Sequence, residues 1–185
     1  MTEKEILFWI KGNLGPLIQK AFAERKNTIY TEDWIAAMIY RETGFLIGRY
    51  VAQKVKFQTI CELMKGDYGQ RPGETEKQYH GFGFLQIDIK SFPDFVRSGN
   101  WKNPYLTIVK AIDVLESKRK YLETKSEYLR LNDDQKARAI TAAYNTGEGN
   151  VFKSVVAGRD VDSTTYNKDY SKEVWRFIEI YRSLA

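Results

Sequence analysis

Thr31-Glu32-Asp33-Trp34-Ile35-Ala36-Ala37-Met38-Ile39-Tyr40-Arg41-Glu42-Thr43-Gly44 holds a helix start, an apolar stripe and an acid in one short run. Thr31 is a helix-capping residue type, and Glu32 and Asp33 put negative charge in the first turn, where the helix dipole favours it. Ile35, Met38 and Ile39 follow the i, i+3, i+4 spacing of a core-facing stripe, and Glu42 falls at i+7 of the same stripe. The pattern predicts a helix from Glu32 through Arg41 to about Thr43. A carboxylate at the end of an apolar stripe is costly to desolvate when ionised. Its pKa is expected to rise, which would let it hold a proton near neutral pH and donate it. The competing reading is a glutamate that escapes to water or pairs with Arg41 or Arg49.

Before this run, residues 3–26 read as helical, broken near Gly15-Pro16, and Asn27 interrupts. Residues 1–30 are thus expected to form a helical extension packed on a domain spanning 31–185. After it, Leu46 to Met64 is a further helical stretch. It contains Cys61, which the apolar run Thr59-Ile60-Cys61-Glu62-Leu63-Met64 marks as buried and inert. The segment from Gly66 to Gly83 is polar and broken by Gly66, Gly69, Pro72, Gly73, Gly81 and Gly83, so it reads as loop and turn. It leads into a short strand, Phe82 to Ile89, whose alternation delivers Gln86 and Asp88 to one side. Further helices are expected from Pro104 to about Tyr128, from Asn132-Asp133-Asp134 to near Gly147, from Asn150 to Ala157, and from Asp169 to Tyr181. The fold class is therefore mostly α, with one small β-element.

The 185 residues suit one compact domain, and 43% hydrophobic with 14% aromatic content is enough for a real core. A formal charge of +5 leans towards anionic partners, but the 29 basic residues are scattered among 24 acids. With Cys61 as the only cysteine, no internal disulfide can form. Aromatics do not interleave with basic residues in a tract, which argues against a nucleic-acid platform. No C-x-x-C set, HExxH or Walker loop supports zinc or nucleotide chemistry. The acidic start Met1-Thr2-Glu3-Lys4-Glu5 does not read as a signal peptide, and no apolar run approaches transmembrane length.

Two other segments bear on Glu42. Gly81-Phe82-Gly83-Phe84-Leu85-Gln86-Ile87-Asp88 has glycines that let backbone bend or lie close to a ligand, and Ala142-Ala143-Tyr144-Asn145-Thr146-Gly147 ends a helix at a turn. Alone, each is a weak signal, a β-turn and a helix C-cap of the kind that is more often structural. Together with Arg41-Glu42-Thr43, and in this order, they resemble the goose-type lysozymes and the related soluble lytic transglycosylases. Asp169-Tyr170-Ser171-Lys172-Glu173-Val174 is similar to the last helix of the goose-type group. The resemblance runs from about Thr31 to Tyr181.

The resemblance implies a lysozyme-like α+β fold in which the β-element forms one wall of a substrate cleft. It implies Glu42 as general acid, with Asp67 and Asp88 positioning or activating the attacking water. Gln86, Phe82, Tyr144, Asn145 and Tyr170 are implied to contact the sugar or steady the acid. The chain departs from the pattern in having Thr43 where serine is usual, and in longer spans at 44–66 and 70–80. The second span suggests an elaborated cleft wall, with Arg71, Glu74, Lys77 and His80 as substrate or peptide contacts; a locally bonded turn residue is the alternative for His80. The implied reaction is cleavage of the β-1,4 bond between N-acetylmuramic acid and N-acetylglucosamine in peptidoglycan. Both aspartates favour hydrolysis with inversion, the carboxylates standing about 6.5–9.5 Å apart around a water. A lytic transglycosylase giving 1,6-anhydro ends, a chitinase and a silent glycan-binding module are the alternatives. No metal or cofactor is expected. The expected partner is the glycan strand, bound by a monomer at the cell wall.

Overall fold

A computed structural model describes residues 1–25 and 28–184, so the expected interruption at Asn27 lies outside the described residues. Among the described residues the order is α1 (Glu3–Ala23), α2 (Glu32–Ala52), α3 (Phe57–Leu63), β1 (Lys65–Gly69), β2 (Gln78–Phe82), β3 (Ile87–Asp88), α4 (Pro93–Arg97), α5 (Pro104–Glu123), α6 (Ser126–Leu129), α7 (Asp133–Thr146), α8 (Glu148–Val156) and α9 (Tyr170–Arg182). The fold is mostly helical with a small antiparallel sheet, as the sequence pattern predicts. Two compact units divide the chain, Met1–Ala111 with Ile178–Ala185, and Ile112–Phe177.

In the first unit α1 packs along α2. Leu7, Ile10, Leu14, Ile18 and Ala21 recur every three or four residues on α1 and are fully buried. Each large one contributes about 1.5–3 kcal/mol of burial. Thr2 and Glu5 close a reciprocal capping box at the start of α1. The expected break at Gly15-Pro16 does not occur, because α1 runs straight through Pro16. The carbonyl freed by the missing proline N–H belongs to Gly12, and Gly12 and Pro16 both face solvent, where water satisfies it.

The second difference matters more for function. Helix α2 does not stop near Thr43 but continues to Ala52, so Glu42 sits mid-helix rather than at an end. Gly44 and Gly48 are buried positions within it. A Cβ on Gly48 would come within 2.7 Å of Ile6 Cδ1, so this glycine lets α1 lie against α2. Close helix packing outweighs the modest helix penalty of glycine.

The expected loop and strand are also rearranged. Residues 65–69 and 78–82 form a β-hairpin with Lys65 opposite Phe82, Gly66 opposite Gly81 and Tyr68 opposite Tyr79. β3 adds to the other side of β2, pairing Asp88 with Gly81 and Ile87 with Phe82. The expected strand from Phe82 to Ile89 is therefore two strand ends joined by a turn at 83–86.

The second unit holds α6, α7, α8 and parts of α5 and α9. Helix α7 begins as its sequence predicts, with Asn132 and Gln135 forming a capping box. Ala139, Ile140, Ala142, Ala143 and Val151 are buried between α7 and α8.

Candidate active site

Glu42 is half-buried on α2, one residue before the fully buried Thr43. Thr43 Oγ1 lies 3.0 Å from the carbonyl of Ile39 in its own helix and 2.9 Å from the carbonyl of Phe84 in the 83–86 turn. A single hydroxyl thus ties the helix carrying Glu42 to the turn that carries Gln86. Phe84 itself is buried against Phe57 and Trp9, with ring centroids at 6.4 and 6.5 Å, so the turn is anchored from both sides.

The turn explains the glycines around it. Gly83 has φ of +77°, and a Cβ there would meet Thr107 and the Trp101 carbonyl. Gln86 also adopts a positive φ of 48° and lies outside regular strand, so it does not share a strand face with Asp88 as alternation predicts. Its side chain folds back over the sheet, with Nε2 donating to Gly83 O at 2.9 Å and Oε1 lying where a Cβ of Gly66 or Gly81 would be. The paired glycines of β1 and β2 form the seat of Gln86. Phe82 is half-buried against Trp101, with centroids 5.3 Å apart.

Asp67 and Asp88 lie on the two strands flanking β2. Arg71 joins them: Nη2 is 2.7 Å from Asp67 Oδ2 and Nη1 is 2.6 Å from Asp88 Oδ2. Asp88 also accepts the N–H and hydroxyl of Ser91, at 2.8 and 3.0 Å. Burial works to raise the Asp88 pKa, but the Arg71 and Ser91 hydrogen bonds outweigh it and hold the carboxyl below its ordinary range. Asp67 is the more open of the two and takes a φ of +51° in mid-strand. Aspartate tolerates this conformation better than most residues, and such local strain concentrates at functional sites.

The span 70–80 is not a free flap. Arg71 N–H donates to Glu74 Oε2 at 2.7 Å, Gln70 Nε2 donates to the Glu74 carbonyl at 2.7 Å, and Gln78 Nε2 reaches Glu74 Oε1 at 3.1 Å. His80 is in β2 and only 1% exposed, which gives it a different place from the expected substrate contact. One ring nitrogen is 2.7 Å from Asp67 O and the other 2.9 Å from the Glu74 carboxylate. Burial opposes the charged ring, yet these two partners outweigh it and raise the His80 pKa. Glu74 and His80 therefore hold the loop in the shape that aims Arg71. Lys77 stays exposed.

Tyr144, Asn145 and Tyr170 belong to the second unit. Tyr144 is half-buried near the end of α7, Asn145 Oδ1 accepts the Tyr166 N–H at 3.2 Å, and Tyr170 is buried at the start of α9. The anchor of α9 is Asp162, which is fully buried. It accepts the N–H groups of Ser171 and Lys172 at 2.9 and 3.2 Å and the Ser171 hydroxyl at 2.7 Å. Arg138 lies 3.3 Å from the same carboxylate.

No family model matches the chain. The curated protein Lysozyme g of Takifugu rubripes is 33% identical to it over 109 residues, covering 56% of the chain and 54% of that protein. Over that stretch the chain is related to goose-type lysozyme. The chain spans about half the length of this relative.

Neither Arg71 as a bridge between carboxylates nor Asp162 as the anchor of α9 is expected from the sequence pattern. Arg71 carries no local signal, because its partners lie 4 residues before and 17 after it. Ser91 does carry one: Asp88-Ile89-Lys90-Ser91 has the spacing at which an aspartate accepts bonds from backbone and hydroxyl just downstream. Cys61 is buried, and burial pushes its thiol up to about 11, in keeping with an inert residue. Among the described residues no cluster of His, Cys, Asp or Glu is arranged to hold a metal, and no helix is long and apolar enough to cross a membrane.

Proposed function

We propose that this protein is a glycoside hydrolase that cleaves the β-1,4 bond between N-acetylmuramic acid and N-acetylglucosamine in the glycan strands of peptidoglycan, acting at the cell wall. The observation that carries the reading is the pair Asp67 and Asp88 gathered on one guanidinium, in the same unit as Glu42 and linked to its helix through the Thr43-tied turn. The relationship to goose-type lysozyme supports the same chemistry.

In this reading the protonated Glu42 gives its proton to the glycosidic oxygen as the bond to the anomeric carbon breaks. A water beside Asp67 and Asp88 attacks that carbon from the opposite face, passing its proton to one of the two carboxylates. The product is a reducing end of inverted configuration. Arg71 and Ser91 keep Asp88 ionised and ready to accept the proton, while Arg71 fixes its placing relative to Asp67. Gln86, braced on its glycine seat, and Phe82 are proposed to contact the sugar, and Tyr144, Asn145 and Tyr170 keep the sugar-contacting or acid-steadying role that the resemblance gives them. The protein is taken to act as a monomer without cofactor.

Glu42→Gln is nearly isosteric and cannot donate the proton. It is expected to lower wall lysis by about 10²–10⁴-fold, with the thermal melting curve unchanged. Retention of more than about a tenth of the activity would contradict Glu42 as the acid.

A further inference from the structure

The face of α2 that carries Glu42 continues beyond it. Leu46, Arg49 and Tyr50 follow at i+4, i+7 and i+8, the positions that share one side of a helix. They line one wall of a groove of about 430 Å³, within the size range of ligand sites. The other wall is the β-hairpin, through Lys65, Asp67, Tyr68 and Tyr79. At a rise of 1.5 Å per residue the groove extends roughly 6–12 Å along the helix axis from Glu42. It shares Asp67 with the candidate catalytic pair.

Two features of the hairpin wall lack a folding rationale. Tyr68 and Tyr79 are 62% and 41% exposed although both are large and aromatic. They are cross-strand partners, their ring centroids 4.8 Å apart and their planes tilted by 51°, so that two aromatic rings stand side by side in the groove, open to solvent. Such a pair contributes only about 0.2–1 kcal/mol to a sheet. Lys65 Nζ sits 5.8 Å from the Tyr79 ring and so brings an ammonium to the platform edge.

We propose that the Tyr68–Tyr79 surface is a binding subsite for a sugar ring of the glycan strand, away from the bond that is cut. A pyranose presents axial C–H groups that suit the negative face of an aromatic ring, and hydroxyl and amide groups around its edge. The groove supplies both: two tyrosine rings, with Arg49 and Lys65 as donors and Glu62 and Asp67 as acceptors. Its two cations and two carboxylates balance, which suits a neutral, hydroxyl-rich chain. A polyanion would meet two carboxylates there, and an apolar peptide would strip water from four charges. The identity of the strand rests on the glycosidase reading, but the stacking surface does not.

The test is calorimetric binding of peptide-free β-1,4 N-acetylglucosamine oligomers to the full chain in the Glu42→Gln background, which prevents turnover. Tyr68→Ala and Tyr79→Ala are each expected to weaken binding of the hexamer about two- to thirteenfold, since one stacked ring contributes about 0.5–1.5 kcal/mol. Tyr68→Phe, which keeps the ring, should restore hexamer binding, and melting temperatures should match the parent. Unchanged hexamer binding in both alanine variants would overturn the subsite. If the parent chain with Glu42 intact cuts no glycan while the alanine variants still lose hexamer binding, the glycosidase reading fails and the subsite stands. If the intact chain cuts glycan and hexamer binding ignores both tyrosines, the subsite alone fails.

Discussion

Each unit contains one arginine joined to two aspartates, and the two clusters put the same chemistry to opposite uses. In the second unit Arg138 lies between Asp160 and Asp162, and Asp162 is 0% exposed. Its oxygens are taken up by two backbone N–H groups and two hydroxyls as well as by Arg138. This buried carboxylate is fully occupied in starting α9 and has no capacity left for a substrate. In the first unit Arg71 lies between Asp67, 63% exposed, and Asp88, 30% exposed. Asp67 accepts from Arg71 at 2.7 Å, and both carboxylates keep surface open to solvent. What separates a structural cluster from a catalytic candidate here is how much hydrogen-bonding capacity the fold has already consumed.

The comparison is broken most sharply by Asp162→Ala. It strands two backbone N–H groups and leaves Arg138 with Asp160 as its carboxylate partner, and breaking a buried pair costs about 3–5 kcal/mol. An unfolding free energy from chemical denaturation lowered by less than a third of that would show that the cluster is not the anchor of α9. Arg71→Ala should do the reverse. Its ion pairs are partly exposed and are each worth about 0–1 kcal/mol, so stability should hardly move. Activity is expected to fall by about a hundredfold, the scale of loss when a reacting group is misplaced. The pH profile gives a finer reading. Asp88 is held below its ordinary pKa partly by Arg71, so without the guanidinium its pKa rises and the acid limb of kcat/KM must move to higher pH. An acid limb that stays in place would show that Arg71 does not set the charge on the pair.

The contrast between the clusters also marks what the sequence could reveal. Local signals were sufficient where the physics is local. The Asn132–Gln135 capping box starts α7, and the stripe of Ile35, Met38 and Ile39 puts α2 in the core, with the acid that the resemblance selects. They fail where distant contacts decide. The helix is expected to end near Thr43, yet α2 runs on to Ala52 with Gly48 packed against Ile6 of α1. The alternation from Phe82 to Asp88 reads as a strand, but the Thr43 hydroxyl and the packing of Phe84 hold residues 83–86 in a turn. His80 reads as a substrate contact or a locally bonded turn residue, because nothing nearby in the sequence announces that Glu74 and Asp67 will meet both ring nitrogens. The residues carrying the resemblance were legible as candidates. The groups that hold them, Arg71, Ser91 and the glycine seat under Gln86, emerge only from the pairing of β1, β2 and β3.

In the proposed mechanism Asp67 and Asp88 deliver water to a glycosidic bond that Glu42 protonates. Mass spectrometry of purified peptidoglycan after digestion tests it most directly, because hydrolysis adds one water at each cut and intramolecular closure adds none. The account predicts reducing N-acetylmuramic acid ends from the unaltered chain, and a loss of those ends when Asp67 and Asp88 are both changed to asparagine. Anhydro ends from the unaltered chain, persisting at full rate in that double variant, would contradict it.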